Sequence, residues 1–242
     1  MHLYGLIGTS LSHSFSATYF NEKFREEKTA AEYRLFPLDA LSLLPSLLKD
    51  SRLMGLNVTI PYKQEVMAYC DALDVSASEV GAVNCISREQ GRWVGYNTDV
   101  YGFLQSVKPF ITLHHSRALV LGSGGASRAV QTGLQKLGIE FRVVSLSPVG
   151  RQLGYEQLSP EVLAAFPLII NTTPCGMYPH TDAGPLLSYE GISDKHLLVD
   201  LIYNPEKTLF LLEGARLGAA VLNGLSMLRL QAAASWEIWR RA

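Results

Sequence analysis

The 242-residue sequence predicts an α/β protein of two units: an N-terminal α/β unit and a Rossmann-like dinucleotide-binding unit. Three observations predict it. Short β-branched runs alternate with amphipathic stretches along the whole chain, the pattern of a parallel sheet covered by helices. A glycine-rich turn, GSGGAS, lies between an apolar run and a helical one. The strand-helix series restarts after KPFITLHHS, which sets the boundary between the units near residue 100.

Taken in order, HLYGLIG reads as a strand, and SFSATYFNEKFREE as an amphipathic helix with Tyr19, Phe20 and Phe24 on one side. EYRLFPL is a second strand. ALSLLPSLLKD is a helix interrupted at Pro45, which has no N–H to donate. LMGLNVTI is a third strand: Leu56, Val58 and Ile60 alternate with Asn57 and Thr59, and Pro61 ends the pairing. A helix is expected from near Lys63. AVNCISRE and WVGYN flank QGR as a hairpin, and Thr98 or Asp99 caps the helix through VYGFLQSV. In the second series RALVLG is a strand, GGASRAVQTGLQKLG a helix ending on Gly138, and FRVVSL a strand. SPEVLAAF is a short helix, LIINTTP and HLLVDLIY are strands, and KTLFLLEGARLG is a helix. AAVLNG closes the series, and LSMLRLQAAASWEIWRR is the final helix.

Composition narrows the function classes. Hydrophobic residues make up 48% of the chain and charged residues 18%, enough apolar surface for a buried core. The formal net charge of −1 gives no electrostatic reason to expect nucleic acid or an anionic membrane as partner. Cys70, Cys85 and Cys175 are too few and too scattered for a disulfide framework or a zinc motif, which points to a reducing cytoplasm and no metal. The start, MHLYGLIG, lacks the pattern of a signal peptide, and no apolar run approaches the roughly 20 residues of a membrane-spanning helix.

Two local patterns carry chemistry. In ALVLGSGGASRAV, Gly122, Gly124 and Gly125, with Ala126 at the helix start, let backbone N–H groups and a helix N-terminus approach a pyrophosphate. The bland alternative is a tight turn that binds nothing. No acid follows Val144 to hold the ribose hydroxyls of NAD. Ser145 and Ser147 can hydrogen-bond a phosphate, so NADP is the expected cofactor and NAD the alternative. In NVTIPYK, Lys63 emerges just past a strand end, where open α/β sheets place ligands; its bland alternative is a solvated surface lysine.

The motifs together resemble the shikimate dehydrogenase family over nearly the whole chain. The resemblance rests on SHSFS with Ser14 and Ser16, on Asn57 through Lys63, and on GAVN with Asn84. It rests equally on Asn97-Thr98-Asp99, the glycine loop, NTTP, and GLSMLRLQAA with Gln231. It implies a substrate-binding catalytic domain of residues 1–99 with 225–242, a Rossmann-like NADP-binding domain of residues 100–224, and an active site in the interdomain cleft. It implies reversible reduction of 3-dehydroshikimate to shikimate with NADPH, a step towards chorismate and the aromatic amino acids. Lys63 and Asp99 are then the catalytic pair. Ser14 and Ser16 hold the substrate carboxylate, Tyr203 assists them, and Thr59, Asn84 and Gln231 bind ring hydroxyls. Thr173, Leu201 and Gly224 lie where the family meets the nicotinamide side of the cofactor. Taken singly, Ser14, Ser16 and Asp99 would read as helix caps, and Asn84 and Gln231 as turn or helix-surface polarity.

The chain departs from the family in one place. Where NADP-using members carry Asn-Arg-Thr, it has Ser145-Leu146-Ser147, which leaves Arg142 and Arg151 as the nearest cations. An NAD-using shikimate/quinate dehydrogenase is therefore the second enzyme reading, and a non-catalytic ligand-binding relative is the rival from another class. A cytoplasmic monomer or homodimer is expected.

Overall fold

The computed structural model describes residues 1–11 and 14–241. Ser12 and His13 of SHSFS, and Ala242 at the end of the expected substrate-binding domain, lie outside the described residues. The chain divides into two compact units, Met1–Thr98 with Ala232–Ala242, and Asp99–Gln231.

The first unit contains β1 (His2–Gly8), α1 (Phe15–Glu26), β2 (Ala31–Pro37), α2 (Leu44–Leu48), β3 (Leu53–Val58), β4 (Ala72–Leu73), α3 (Val75–Val80), β5 (Cys85–Glu89) and β6 (Arg92–Tyr96). Its sheet runs β2-β1-β3-β5-β6-β4. β1 is parallel to β2 and β3, whereas β5 is antiparallel to β3 and β6. Alternation along β1 builds both faces: Leu3 and Ile7 join one apolar cluster, Tyr4 and Leu6 the other. The second cluster is aromatic and includes Phe20 and Phe24 of α1.

Two expectations are corrected here. Pro45 does not interrupt a helix but sits in the first turn of α2, where its missing N–H would have had no partner, and a 3₁₀ turn at Leu41–Leu43 precedes it. No α-helix starts near Lys63. The Lys63 carbonyl accepts the Val83 N–H at 2.7 Å, and Met67 N–H turns instead to the Gln64 carbonyl at 3.3 Å. The result is a 3₁₀ segment, Glu65–Tyr69.

The second unit contains α4 (Asp99–Val107), β7 (Arg117–Leu121), α5 (Gly125–Lys136), β8 (Glu140–Val144), α6 (Pro160–Ala165), β9 (Leu168–Asn171), β10 (Leu197–Asp200), α7 (Leu209–Arg216) and β11 (Ala220–Leu222). It also takes the start of α8 (Leu225–Trp239), whose end from Ala232 belongs to the first unit. The sheet is parallel, ordered β11-β10-β9-β7-β8. Ala118 and Val120 face one core with α4 and α5, and Leu119 and Leu121 face the other with Leu163 and Phe210. Beyond β8 the next strand of a Rossmann sheet is reduced to a single parallel bridge, Val144 to Leu153. Residues 145–152 are too few for the dozen-residue crossover that a parallel strand needs, and no helix forms there. Leu146 in that loop is 80% exposed. Among the described residues no helix is long and apolar enough to cross a membrane.

Candidate active site

In the first unit, one edge of the sheet gathers the polar motifs. β1 and β3 are parallel, so their carboxyl ends share that edge; β5 runs the other way and begins there, and β6 ends there. Ser14 and Ser16 follow β1, Thr59 and Lys63 follow β3, Asn84 precedes β5, and Thr98 follows β6. Thr59 N–H bonds the Ile7 carbonyl at 3.0 Å, and Val58 N–H bonds the Asn84 carbonyl at 2.9 Å. With the Lys63–Val83 backbone bond, these pin Thr59, Lys63 and Asn84 around the end of β3. Ser14 caps α1, its hydroxyl accepting the Ser16 N–H at 3.2 Å, which leaves its proton for another acceptor.

Behind this edge lies a buried polar network that sequence reasoning missed. Asn84 exchanges two hydrogen bonds with Thr98: its Nδ2 donates to Thr98 Oγ1 at 2.9 Å, and Thr98 N–H donates to its Oδ1 at 2.7 Å. Asn57 Nδ2 donates to Ser235 Oγ at 3.0 Å, Ser235 Oγ lies 3.3 Å from Thr98 Oγ1, and the Tyr33 hydroxyl donates to Asn57 Oδ1 at 2.8 Å. Burial holds Tyr33 well above the ordinary tyrosine pKa, opposed by a hydrogen bond to Ser16. The network fixes the backbone directly before Asp99. Asn84 and Thr98 stand in readable motifs, but the only sequence signal that linked them to β3 was polar Asn57 inside an apolar strand.

In the second unit, Asp99 opens α4 and is buried. One turn on, Gly102 lies so close to α8 that a Cβ would meet the Met227 carbonyl at 2.8 Å and Gln231 Cβ at 3.1 Å. Asp99 and Gln231 are thus held on neighbouring helices.

The glycine loop joins β7 to α5 at the point where the strand order reverses, the usual ligand position of an open α/β sheet. Gly122 has φ +105°, and a Cβ there would meet Thr172 Oγ1 at 2.8 Å and Thr173 Cγ2 at 2.9 Å, so the fold itself requires it. Gly124, the N-cap of α5, faces open space. The unsatisfied N–H groups of the first turn of α5 lie behind it, and together they fit a pyrophosphate. At the end of β8, Ser147 N–H donates to Ser145 Oγ at 3.2 Å. Arg142 Nη2 lies 3.7 Å from Glu140, whereas Arg151 is exposed in the same loop.

Thr173 and Leu201 leave the carboxyl ends of β9 and β10. Thr173 Oγ1 donates to Asn171 Oδ1 at 2.7 Å. Gly224 packs directly on the Leu201 carbonyl, where a Cβ would collide, and its N–H bonds the Ile202 carbonyl at 3.0 Å. Tyr203 lies half-buried on the same loop as Leu201. Asn171, Asp200 and Thr208, which tie these loops together, were not anticipated; the available signals were the polar residues ending the apolar strands β9 and β10 and, for Thr208, a helix cap.

Comparison with known proteins assigns this arrangement. The family description "Shikimate dehydrogenase substrate binding domain" matches residues 6–86. A Clostridium beijerinckii protein named shikimate dehydrogenase (NADP(+)) is 38% identical over 250 residues, covering 99% of this chain and 92% of its own. The structure of shikimate 5-dehydrogenase from Thermus thermophilus in complex with NADP(H) and shikimate is similar with a TM-score of 0.89 at 30% identity, covering 100% of this chain and 94% of that one. Quinate dehydrogenase from Corynebacterium glutamicum in complex with NAD gives a TM-score of 0.88 at 27% identity, covering 100% and 94%. Similarity of that extent over the full chain has one meaning: the chain belongs to the shikimate dehydrogenase family.

Proposed function

We propose that this protein catalyses the reversible reduction of 3-dehydroshikimate to shikimate with NADPH. The full-length similarity to a protein named shikimate dehydrogenase (NADP(+)) carries the reading. The polar edge of the first sheet and the open cradle at Gly124 supply chemistry that suits it.

When bound, NADPH supplies the hydride. The ketone oxygen then gains negative charge and needs a proton. Lys63 donates that proton during reduction and takes it back during oxidation, while Asp99 accepts a hydrogen bond from the reacting hydroxyl and orients the ammonium group. Ser14 and Ser16 bind the substrate carboxylate with help from Tyr203, and Thr59, Asn84 and Gln231 bind the ring hydroxyls. Gly122, Gly124, Gly125 and Ala126 receive the pyrophosphate. Ser145 and Ser147 meet the adenosine end, and Thr173, Leu201 and Gly224 border the nicotinamide. Residues 1–99 with 225–242 thus serve mainly the substrate and residues 100–224 mainly the cofactor, Tyr203 being the residue of the second set that reaches the substrate. The enzyme works in the cytoplasm as a monomer or homodimer.

Exposed Leu146, standing where NADP-using family members carry an arginine, favours a second reading in which NAD and quinate are also used, against the absence of an acid from the loop, which favours NADP. Initial rates with NADP+ and NAD+, each on shikimate and on quinate, test both. The expected result is fastest turnover with shikimate and NADP+. Faster turnover with NAD+ and quinate selects the second reading, and no nucleotide reduction in any pairing removes both.

A further inference from the structure

Asp200 ends β10 with no measurable exposure to solvent, and every hydrogen bond it makes comes from a neutral donor. Its Oδ1 accepts Asn171 Nδ2–H and the Ile202 N–H, both at 3.0 Å, and its Oδ2 accepts the Thr208 hydroxyl at 2.6 Å. Among the described residues no lysine, arginine or histidine pairs with it. The three donors come from three different places: the end of β9, the turn after β10, and the cap of α7. Asn171 passes the tie onward, since its Oδ1 accepts both the N–H and the hydroxyl of Thr173 at 3.0 and 2.7 Å. Thr208 is equally committed as the N-cap of α7, accepting the Leu211 N–H at 3.4 Å. One carboxylate therefore sets the spacing of residues 172–175 against residues 201–208.

A buried charge without a counter-charge lowers stability, so its presence calls for a role other than stability. We propose that Asp200 is the positioning residue of the nicotinamide rim: through Asn171 it holds Thr173, and through Ile202 and Thr208 it holds the segment carrying Leu201 and Tyr203. The inference rests on the reading of Thr173 and Leu201 as cofactor contacts. The titratable groups that act on or are acted on by Asp200 are Cys175 and Tyr189. Burial pushes both upward, Tyr189 beyond the ordinary tyrosine range, so neither carries charge near neutral pH. Asp200 itself is raised to about 6 by burial, against the three hydrogen bonds that oppose the rise. Protonation would give Asp200 an O–H that among its three partners only the Thr208 hydroxyl could accept, reversing that bond, so the tie as it stands is made by the ionised form and is altered below about pH 6.

The test uses full-length Asp200→Asn and Thr208→Val. Asp200→Asn keeps one acceptor oxygen but reverses the bond to Thr208. We expect its KM for NADP+ to rise about tenfold, the KM for shikimate, which is reached only through Tyr203, to rise by no more than about threefold, and the melting temperature not to fall. In the wild type, kcat/KM for NADP+ declines on the acid side of about pH 6. In Thr208→Val, which has lost one stabilising donor, that limb moves to higher pH; in Asp200→Asn it disappears. Should Asp200→Asn fail to fold, the Thr208→Val profile decides alone. Wild-type NADP+ kinetics in both variants, or a lowered melting temperature with equal losses for both ligands, would overturn the proposal. A folded wild type that neither binds nor reduces NADP+ would instead remove the functional reading, and this inference with it.

Discussion

Lys63 is carried on a turn because its own carbonyl is committed to Val83 across the sheet edge. A regular helix would have used that carbonyl and swung the side chain around its axis. In the proposed role of proton donor Lys63 acts on the chemical step more than on binding, so Lys63→Met is expected to lower kcat by about 10²–10⁴-fold. Shikimate affinity, measured by calorimetric titration, should change little; near-normal turnover would reject the assigned role. Asp200 makes the complementary case, a residue whose charge opposes stability. Its folded pKa, about 6, lies above the ordinary carboxylate value of 3.8. The folded state therefore holds the proton more tightly than the unfolded state. Its contribution to stability is fully present below pH 3.8 and is lost as pH rises to about 6, on the order of 3 kcal/mol in all. Urea titrations at several pH values should find wild type losing stability relative to Asp200→Asn across that window and no further change above it. A constant difference would mean that Asp200 titrates normally.

At the scale of elements, the loop between β7 and α5 contains glycines of two kinds. Gly122 is demanded by the backbone and by the Thr172–Thr173 segment packed against it, so Gly122→Ala should lower stability by about 1–3 kcal/mol in denaturant titrations. Gly124 meets nothing within 4 Å, so Gly124→Val should keep the melting temperature near wild type while weakening NADP+ binding, measured by nucleotide titration. Unchanged NADP+ affinity in the second variant would mean that the open space is not the pyrophosphate cradle. The same loop explains what was legible. Strand, glycine turn and helix follow from local composition and period, and the α/β class with its Rossmann-like second unit follows from their repetition. The 3₁₀ segment after Lys63 was not legible, because Val83, twenty positions on, decides it. Nor was the reduced strand after β8, where the apolar pattern of Leu153 reads like any other and only the short connection forbids a full pairing.

At the scale of the whole molecule, the first unit is discontinuous in sequence: it is built from Met1–Thr98 and closed by the end of α8. The site networks share that property, which is why they stayed hidden while the motifs did not. Asn84 and the Asn97-Thr98-Asp99 run are readable as local patterns, but the partner of Asn57 is Ser235, 178 positions away, and no local rule pairs them. Trp236 and Trp239 both take part in that closure, and Trp239 is the more deeply tied to the sheet. Trp239 is 3% exposed, stacks on Tyr4 with centroids 4.9 Å apart, and donates its indole N–H to the Ile86 carbonyl at 2.9 Å. β3 makes room for it at Gly55, where any Cβ would collide with the indole. Removing the ring leaves a cavity over the sheet and takes the indole donor from the Ile86 carbonyl, so Trp239→Ala should cost about 3–5 kcal/mol in urea denaturation. Trp239→Phe, which refills most of the volume but not the hydrogen bond, should recover the larger part of that loss. If both variants were equally destabilised, the indole hydrogen bond would matter more than the packing; if neither were, the last helix would be an appendage, and Ser235 would have no fixed place from which to order Thr98 before Asp99.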